Sequence, residues 1–274
     1  MGEAFVTTDG VELGYVRQGQ GQGQGQGSGP PLVLVHGGAT DKGCFDPIAP
    51  LLAERHEVVA YDRRGRGTSG DGHAGYEIQR ELLDLAEFAA FVGGGEPVDV
   101  FGYSFGGLIA VALAAAPGAS RTIRRLAVYE PPFRVPGMLP EGLRAEAASL
   151  GDPDEILRRF ITRTFLLPDT VVDAMQRHPA WESSRQAVPT LDREFDVVET
   201  LAPPDKLDPA IPVLHLLGHP DCGGNPAFAA VAQRISAASD NVRIEYVSGL
   251  PHFAIATDAA HMADLIEQFL GADS

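Results

Sequence analysis

The sequence predicts an α/β fold: a mostly parallel twisted sheet of about eight strands, helices on both faces, and a helical insertion after the sixth strand. Three observations predict it. Short, unbroken apolar runs such as Leu32-Val33-Leu34-Val35 recur along the chain, as in strands buried on both faces of a sheet. Segments of helical periodicity separate those runs, and such alternation implies parallel pairing. Between residues 133 and 210 the alternation stops, with no run that reads as a buried strand, and at residue 211 it resumes.

Each element has its own signal. Residues 4–17 read as two short strands around Asp9-Gly10, a hairpin turn between alternating apolar residues. The tract QGQGQGQGQGSGP, residues 18–30, offers nothing to pack and reads as a mobile loop. The third strand, 31–35, runs into His36-Gly37-Gly38. Residues 43–54 allow a partial helix, limited by Pro47 and Pro50. A fourth strand, 57–61, ends in DRRGRGTSG. Residues 76–92 are amphipathic, with Leu82, Leu85, Phe88, Ala89 and Val92 along one face. A strand at 98–103, a nearly all-apolar helix at 105–116 and a strand at 123–129 follow. The insertion reads as helices at 141–150, 153–166, 169–177 and 181–200. The last elements are a strand at 211–217, a helix at 226–238, a strand at 242–247 and a helix at 258–270. The division is therefore a core of residues 1–132 and 211–274 with a helical lid of residues 133–210.

Composition narrows the partners. The chain has 274 residues, 21 Lys and Arg against 37 Asp and Glu, and a net charge of −16. Nucleic acid and anionic membranes need a basic surface, so neither is expected. A small-molecule substrate is expected instead, and the oligomeric state is left open. Cys44 and Cys222 show neither metal-ligand spacing nor a C-x-x-C pair, so two free thiols in a reducing compartment are expected. The stretch MGEAFVTTDGVELGY has no basic region followed by an apolar one, and no apolar run nears the ~18–20 residues of a membrane span. A cytoplasmic protein is the expectation.

The chemistry centres on Gly102-Tyr103-Ser104-Phe105-Gly106. A G-x-S-x-G stretch between a buried strand and a buried helix fits a nucleophile elbow. There the turn is so sharp that only glycine fits two residues either side, and the serine stands exposed at a positive helix N-terminus. A serine hydroxyl needs a base within hydrogen-bond reach, and the base needs an orienting acid. Of the eight histidines, His252 is the candidate base, because SGLPHF follows the last core strand where the chain returns over the sheet edge. His215 lies within a strand and reads as core. His56, His73, His178 and His261 read as surface positions. The glycines fit neither a dinucleotide fingerprint nor a P-loop, and no cluster of His and carboxylates suggests a metal, so no cofactor is expected.

With these motifs the chain resembles the α/β-hydrolase superfamily. The likeness rests on His36-Gly37-Gly38, on Asp62-Arg63-Arg64-Gly65-Arg66-Gly67-Thr68-Ser69, on GYSFGG, on the Gly-x-x-Asp at 218–221 and on Pro251-His252-Phe253. The resemblance implies a serine hydrolase acting on an ester, thioester or lactone. The same machinery serves C–C bond hydrolases, acyltransferases and perhydrolases, and non-catalytic ligand-binding relatives keep the fold. It implies Ser104 as nucleophile and His252 as base. It places the acid at Asp221, with Glu130 at the end of strand 123–129 as the alternative. The N–H groups of Gly38 and Phe105 would form the oxyanion hole, His36 would be structural, and the arginine-rich loop would brace the sheet edge. Phe160, Phe165, Leu166, Leu167, Met175 and Trp181 of the lid are candidates to roof an apolar pocket.

Overall fold

The computed structural model describes residues 2–19, 29–72, 75–249 and 252–272. The Gln-Gly tract at 20–28, His73 and Pro251 lie outside them. The chain opens with a hairpin of β1 (Glu3–Val6) and β2 (Glu12–Gln18). Its turn is closed by Thr7 and Val11, and Gly10 sits at φ +84°, where a side chain would be strained. The strands β3 (Leu32–Val35), β4 (Val58–Tyr61), β5 (Val98–Tyr103), β6 (Ile123–Tyr129), β7 (Val213–Gly218) and β8 (Val242–Val247) complete an eight-stranded sheet. The order is β1-β2-β4-β3-β5-β6-β7-β8, antiparallel in the first two pairings and parallel in the rest.

Side-chain alternation sorts the core into two layers. Val33 and Val35 of β3 join one apolar cluster with Phe88 of α2 (Ile78–Val92) and Leu108 of α3 (Phe105–Ala114). Leu32 and Leu34 point the other way. They meet Leu52 of α1 (Ala49–Leu52) and Ile266 of α11 (Ala259–Leu270). All four β3 side chains are fully buried, and each burial is worth about 1.5–3 kcal/mol. That is why the strand reads as an unbroken apolar run rather than an alternating one.

Between β6 and β7 stand five helices: α4 (Leu143–Ser149), α5 (Pro153–Phe165), α6 (Asp169–Gln176), α7 (Ala180–Ala187) and α8 (Leu191–Thr200). Leu157, Ile161, Val172, Leu191 and Phe195 from these helices belong to the same apolar cluster as α3. Polar ties add to it: Arg66 donates to the Ala187 carbonyl at 2.6 Å, Ser183 to Asp41 at 2.5 Å, and Arg193 to the Arg64 carbonyl at 3.0 Å.

Some boundaries depart from expectation. The single helix expected over 181–200 is two helices joined by a 3₁₀ turn at Val188–Thr190. Pro189 cannot donate to the preceding turn, and its ring crowds it, so the helix breaks there. The partial helix over 43–54 is a 3₁₀ turn at Lys42–Phe45 followed by the short α1. A short helix α10 (Ala254–Thr257) precedes α11 and follows α9 (Ala227–Ala237) and β8. No helix among the described residues is long and apolar enough to cross a membrane. Cys44 and Cys222 are both free thiols.

Candidate active site

The sheet order reverses at β3. Its successor β4 lies on one side and β5 on the other, so the loops leaving β3 and β5 part there and open a crevice at their carboxyl ends. The β3 loop carries Gly38 and the β5 loop carries Ser104. Ser104 sits at φ +51°, ψ −119°, directly before α3. Its N–H donates to the Tyr129 carbonyl at 2.8 Å, and its carbonyl accepts from Leu108 N–H at 3.0 Å. The glycines around it are sterically required. A Cβ at Gly106 would stand 2.1 Å from the Val35 carbonyl oxygen, and one at Gly102 would stand 2.6 Å from Gly107 Cα. Phe105 opens α3, so its N–H is among the four that a helix leaves without an intrahelical acceptor.

His252 Nε2 lies 3.0 Å from Ser104 Oγ, and His252 Nδ1 lies 2.8 Å from Glu130 Oε2. A carboxylate only accepts, so Nδ1 carries the ring proton and Nε2 is left to accept from the serine hydroxyl. Glu130 is itself held, because its Oε1 accepts from Gly218 N–H at 2.8 Å. The imidazole lies against Phe165 of α5, with ring centres 4.0 Å apart and planes 14° apart, and against Phe228 of α9 at 5.0 Å. Tyr103 hydroxyl donates to the His252 carbonyl at 3.1 Å. Among the described residues five non-glycine residues have positive φ, and four of them are Ala39, Ser104, Glu130 and His252. Strained backbone of this kind persists where the surroundings over-determine it, and it gathers at functional sites.

The expectation for Asp221 is not met by this geometry. Asp221 lies in a 3₁₀ turn at Pro220–Cys222, its side chain is 90% exposed, and its carboxylate lies 3.5 Å from the His219 ring rather than near His252. Two features explain the difference. β6 and β7 are direct neighbours, with Tyr129 beside Leu216, so the residue after Tyr129 already faces the crevice. Gly223 and Gly224, at φ +82° and +99°, shape the loop that follows Asp221. Glu130, the alternative, is the carboxylate that reaches His252.

Other candidates fall into place. His36 is buried and neutral: burial first, then the Arg63 charge, push it well below its ordinary range. It shares a hydrogen bond with the Gly37 carbonyl through Nδ1 and accepts Arg63 N–H at Nε2. His215 is buried within β7, and burial lowers it to about 3. His178 and His261 are exposed, whereas His56 is half-buried, 3.2 Å from Glu267. The arginine-rich loop is a buried ion-pair brace. Arg63 holds Glu81 of α2 at 2.6 Å and Glu194 of α8 at 2.9 Å, Arg66 holds Glu194 at 2.6 Å, and Arg64 holds Asp84 at 2.6 Å.

A cavity of about 30 Å³ lies over Ser104, lined by Gly38, Phe105, Phe160, Phe165 and Glu194 among others, with room for one or two waters. Phe160 and Phe165 line it as expected. Leu166 points outward at 59% exposure, and Trp181 is buried elsewhere with its indole N–H on Asp154 at 2.7 Å. Glu194 was not singled out by the sequence reading. A signal was present: Leu191, Glu194, Phe195 and Val198 share one helical face, so a carboxylate stands inside an apolar stripe.

The profile of the Alpha/beta hydrolase family matches residues 32–266. Among solved structures, an alpha/beta hydrolase from Sphaerobacter thermophilus DSM 20745 is 28% identical with a TM-score of 0.75, covering 96% of this chain and 100% of that one. A non-heme haloperoxidase of Rhodococcus erythropolis is 32% identical over 146 residues, 52% of this chain and 50% of that protein. The probable oxidoreductase EphD of Mycobacterium tuberculosis (strain ATCC 25618 / H37Rv) is 34% identical over 114 residues, 41% of this chain. The chain spans only 18% of the length of EphD.

Proposed function

This chain belongs to the alpha/beta hydrolase family, and from that premise we propose that it is a cofactor-free serine hydrolase acting on an ester, thioester or lactone of a small, mostly apolar molecule. Ser104 Oγ attacks the carbonyl carbon while His252 Nε2 takes its proton. Glu130 keeps the ring in the right tautomer and stabilises the imidazolium. The N–H groups of Gly38 and Phe105 hold the charge that develops on the carbonyl oxygen. The imidazolium then protonates the leaving alcohol or thiol, and water repeats the sequence on the acyl-enzyme.

The observation that carries this reading is the unbroken chain Ser104–His252–Glu130, at 3.0 and 2.8 Å, on three residues with positive φ. The helices α4–α8 act as a lid. Ser104 is only 8% exposed under them, so a substrate larger than the cavity enters when they shift. The partner is a small molecule, and the two free thiols suit a reducing, cytoplasmic setting.

The test is reaction with a small fluorophosphonate, followed by intact mass and peptide mapping. A single adduct on Ser104, absent in Ser104→Ala and slowed at least a hundredfold in His252→Ala, is the expected result. A folded protein that stays unmodified after long exposure to excess reagent would reject the reading.

A further inference from the structure

Apart from Ser104 itself, the side chains lining the cavity are apolar except at two places. Glu194 Oε2 and Thr164 Oγ1 are buried and have no hydrogen-bond partner among the described residues. Both residues line the cavity, and they are 2% and 3% exposed. The other carboxylate oxygen of Glu194 is committed to Arg63 and Arg66, at 2.9 and 2.6 Å. Oε2 instead abuts the β3 loop: a Cβ at Gly38 would stand 2.8 Å from it. A buried acceptor without a donor is costly; the two arginines account for Oε1, but nothing among the described residues pairs with Oε2.

The charges around Glu194 define what it can receive. Burial works against its charge, but Arg66 and Arg63 hold the carboxyl below its ordinary range, so it is ionised. Two arginines, 63 and 66, face two carboxylates, Glu81 and Glu194, and the cluster is neutral. A cationic group would add an uncompensated buried charge, and an anionic one would meet the Glu194 carboxylate. A neutral donor fits both constraints.

Resting on the serine-hydrolase reading, we infer that Glu194 is a specificity-determining residue whose Oε2 accepts a hydrogen bond from a hydroxyl of the substrate, close to its reacting carbonyl, with Thr164 Oγ1 as a second contact. The substrate class is thereby narrowed to short hydroxylated esters or lactones. The nearness of Oε2 to Gly38 sets the reach: the hydroxyl lies within about three bonds of the carbonyl carbon on the acyl side, or about four on the alcohol side. A site built around a substrate hydroxyl discriminates strongly against the analogue that lacks it, because its own acceptor is then left unpaired.

The experiment compares matched esters on the full chain: methyl 2-hydroxybutyrate and methyl 3-hydroxybutyrate against methyl butyrate, and 2-hydroxyethyl butyrate against propyl butyrate. At least one hydroxylated member should exceed its partner tenfold or more in kcat/KM. Thr164→Val and Glu194→Gln should each shrink that ratio, with the unhydroxylated ester changing less. The same pairs are titrated calorimetrically into Ser104→Ala, which reads recognition without turnover. Fluorophosphonate labelling of Ser104 with equal kcat/KM across every pair would overturn the inference and leave the hydrolase reading intact. No labelling, with tighter binding of a hydroxylated ester to Ser104→Ala, would keep the pocket assignment and reject the hydrolase reading. No preference in either format means that Glu194 serves only the arginines, and the inference falls.

Discussion

Glu130 and Asp221 differ in what each carboxylate touches, and a pair of amide substitutions separates them. In Glu130→Gln the side-chain carbonyl can still accept from Gly218 N–H, which Oε1 does at 2.8 Å. The amide NH₂ then faces His252 Nδ1–H, donor against donor. The ring is driven to the other tautomer, and Nε2 loses the lone pair that takes the serine proton. A fall of about 10²–10⁴ in kcat/KM is expected, while Asp221→Asn, at an exposed turn, should stay within about twofold. Equal losses in both variants, read as fluorophosphonate labelling rates, would remove Glu130 from the role proposed for it. The pairing of Ser104 with His252 was legible in the sequence because its signals are local: two glycines flanking a serine, and a histidine just past the last core strand. The carboxylate that meets His252 was not, because it depends on β6 lying beside β7 and on the course of the 219–225 loop, which no local pattern encodes. Glu194 was visible only as an interruption of an apolar stripe.

At the level of elements, the turn from β5 into α3 carries the steric burden of the site. The oxygen of Val35 that would meet a Cβ at Gly106 is a backbone atom of a fully buried strand, so neither side can move cheaply. Gly106→Ala should cost about 1–3 kcal/mol or more in stability and should displace Ser104 from the 3.0 Å contact with His252. Urea unfolding midpoints and labelling rates measured together check this. A variant of unchanged midpoint and unchanged labelling would show that the turn tolerates a methyl group. The core strands were readable to within one or two residues because burial on both faces leaves an unbroken apolar run. The helices after β6 were readable together with three of their four breaks; the fourth was not, since Pro189 ends one helix where the amphipathic pattern on either side continues. Their docking was not readable at all. The arginines of the loop after β4 had a bracing role by resemblance, but their partners Glu81 and Glu194 lie on elements 18 and 131 residues away.

For the molecule as a whole, the acidic balance is legible from composition, whereas the way it responds to acid depends on which groups the fold buries. His215 and His36 are fully buried and held neutral, His215 at about 3 through burial alone. In the unfolded chain each takes up a proton near 6.5. Above pH 6.5 both states hold His215 neutral, and it contributes no pH dependence. Between pH 6.5 and about 3 the unfolded state binds the extra proton, so stability falls as pH falls, by up to about 1.4 kcal/mol per unit. Asp84 acts in the opposite direction, because burial raises it to about 6: from there down to 3.8 the folded state binds the extra proton and gains stability. The net acid profile therefore does not isolate either group, but a difference between variants does. Replacing His215 with leucine removes one of the two histidine contributions and leaves Asp84 untouched. Between pH 7 and pH 5 the stability of His215→Leu should rise by about 2 kcal/mol relative to the parent chain, whatever the offset at pH 7. Urea titrations at the two pH values measure this. Parallel profiles would mean that His215 carries its proton in the folded protein, and that the middle of the sheet supplies it with an acceptor.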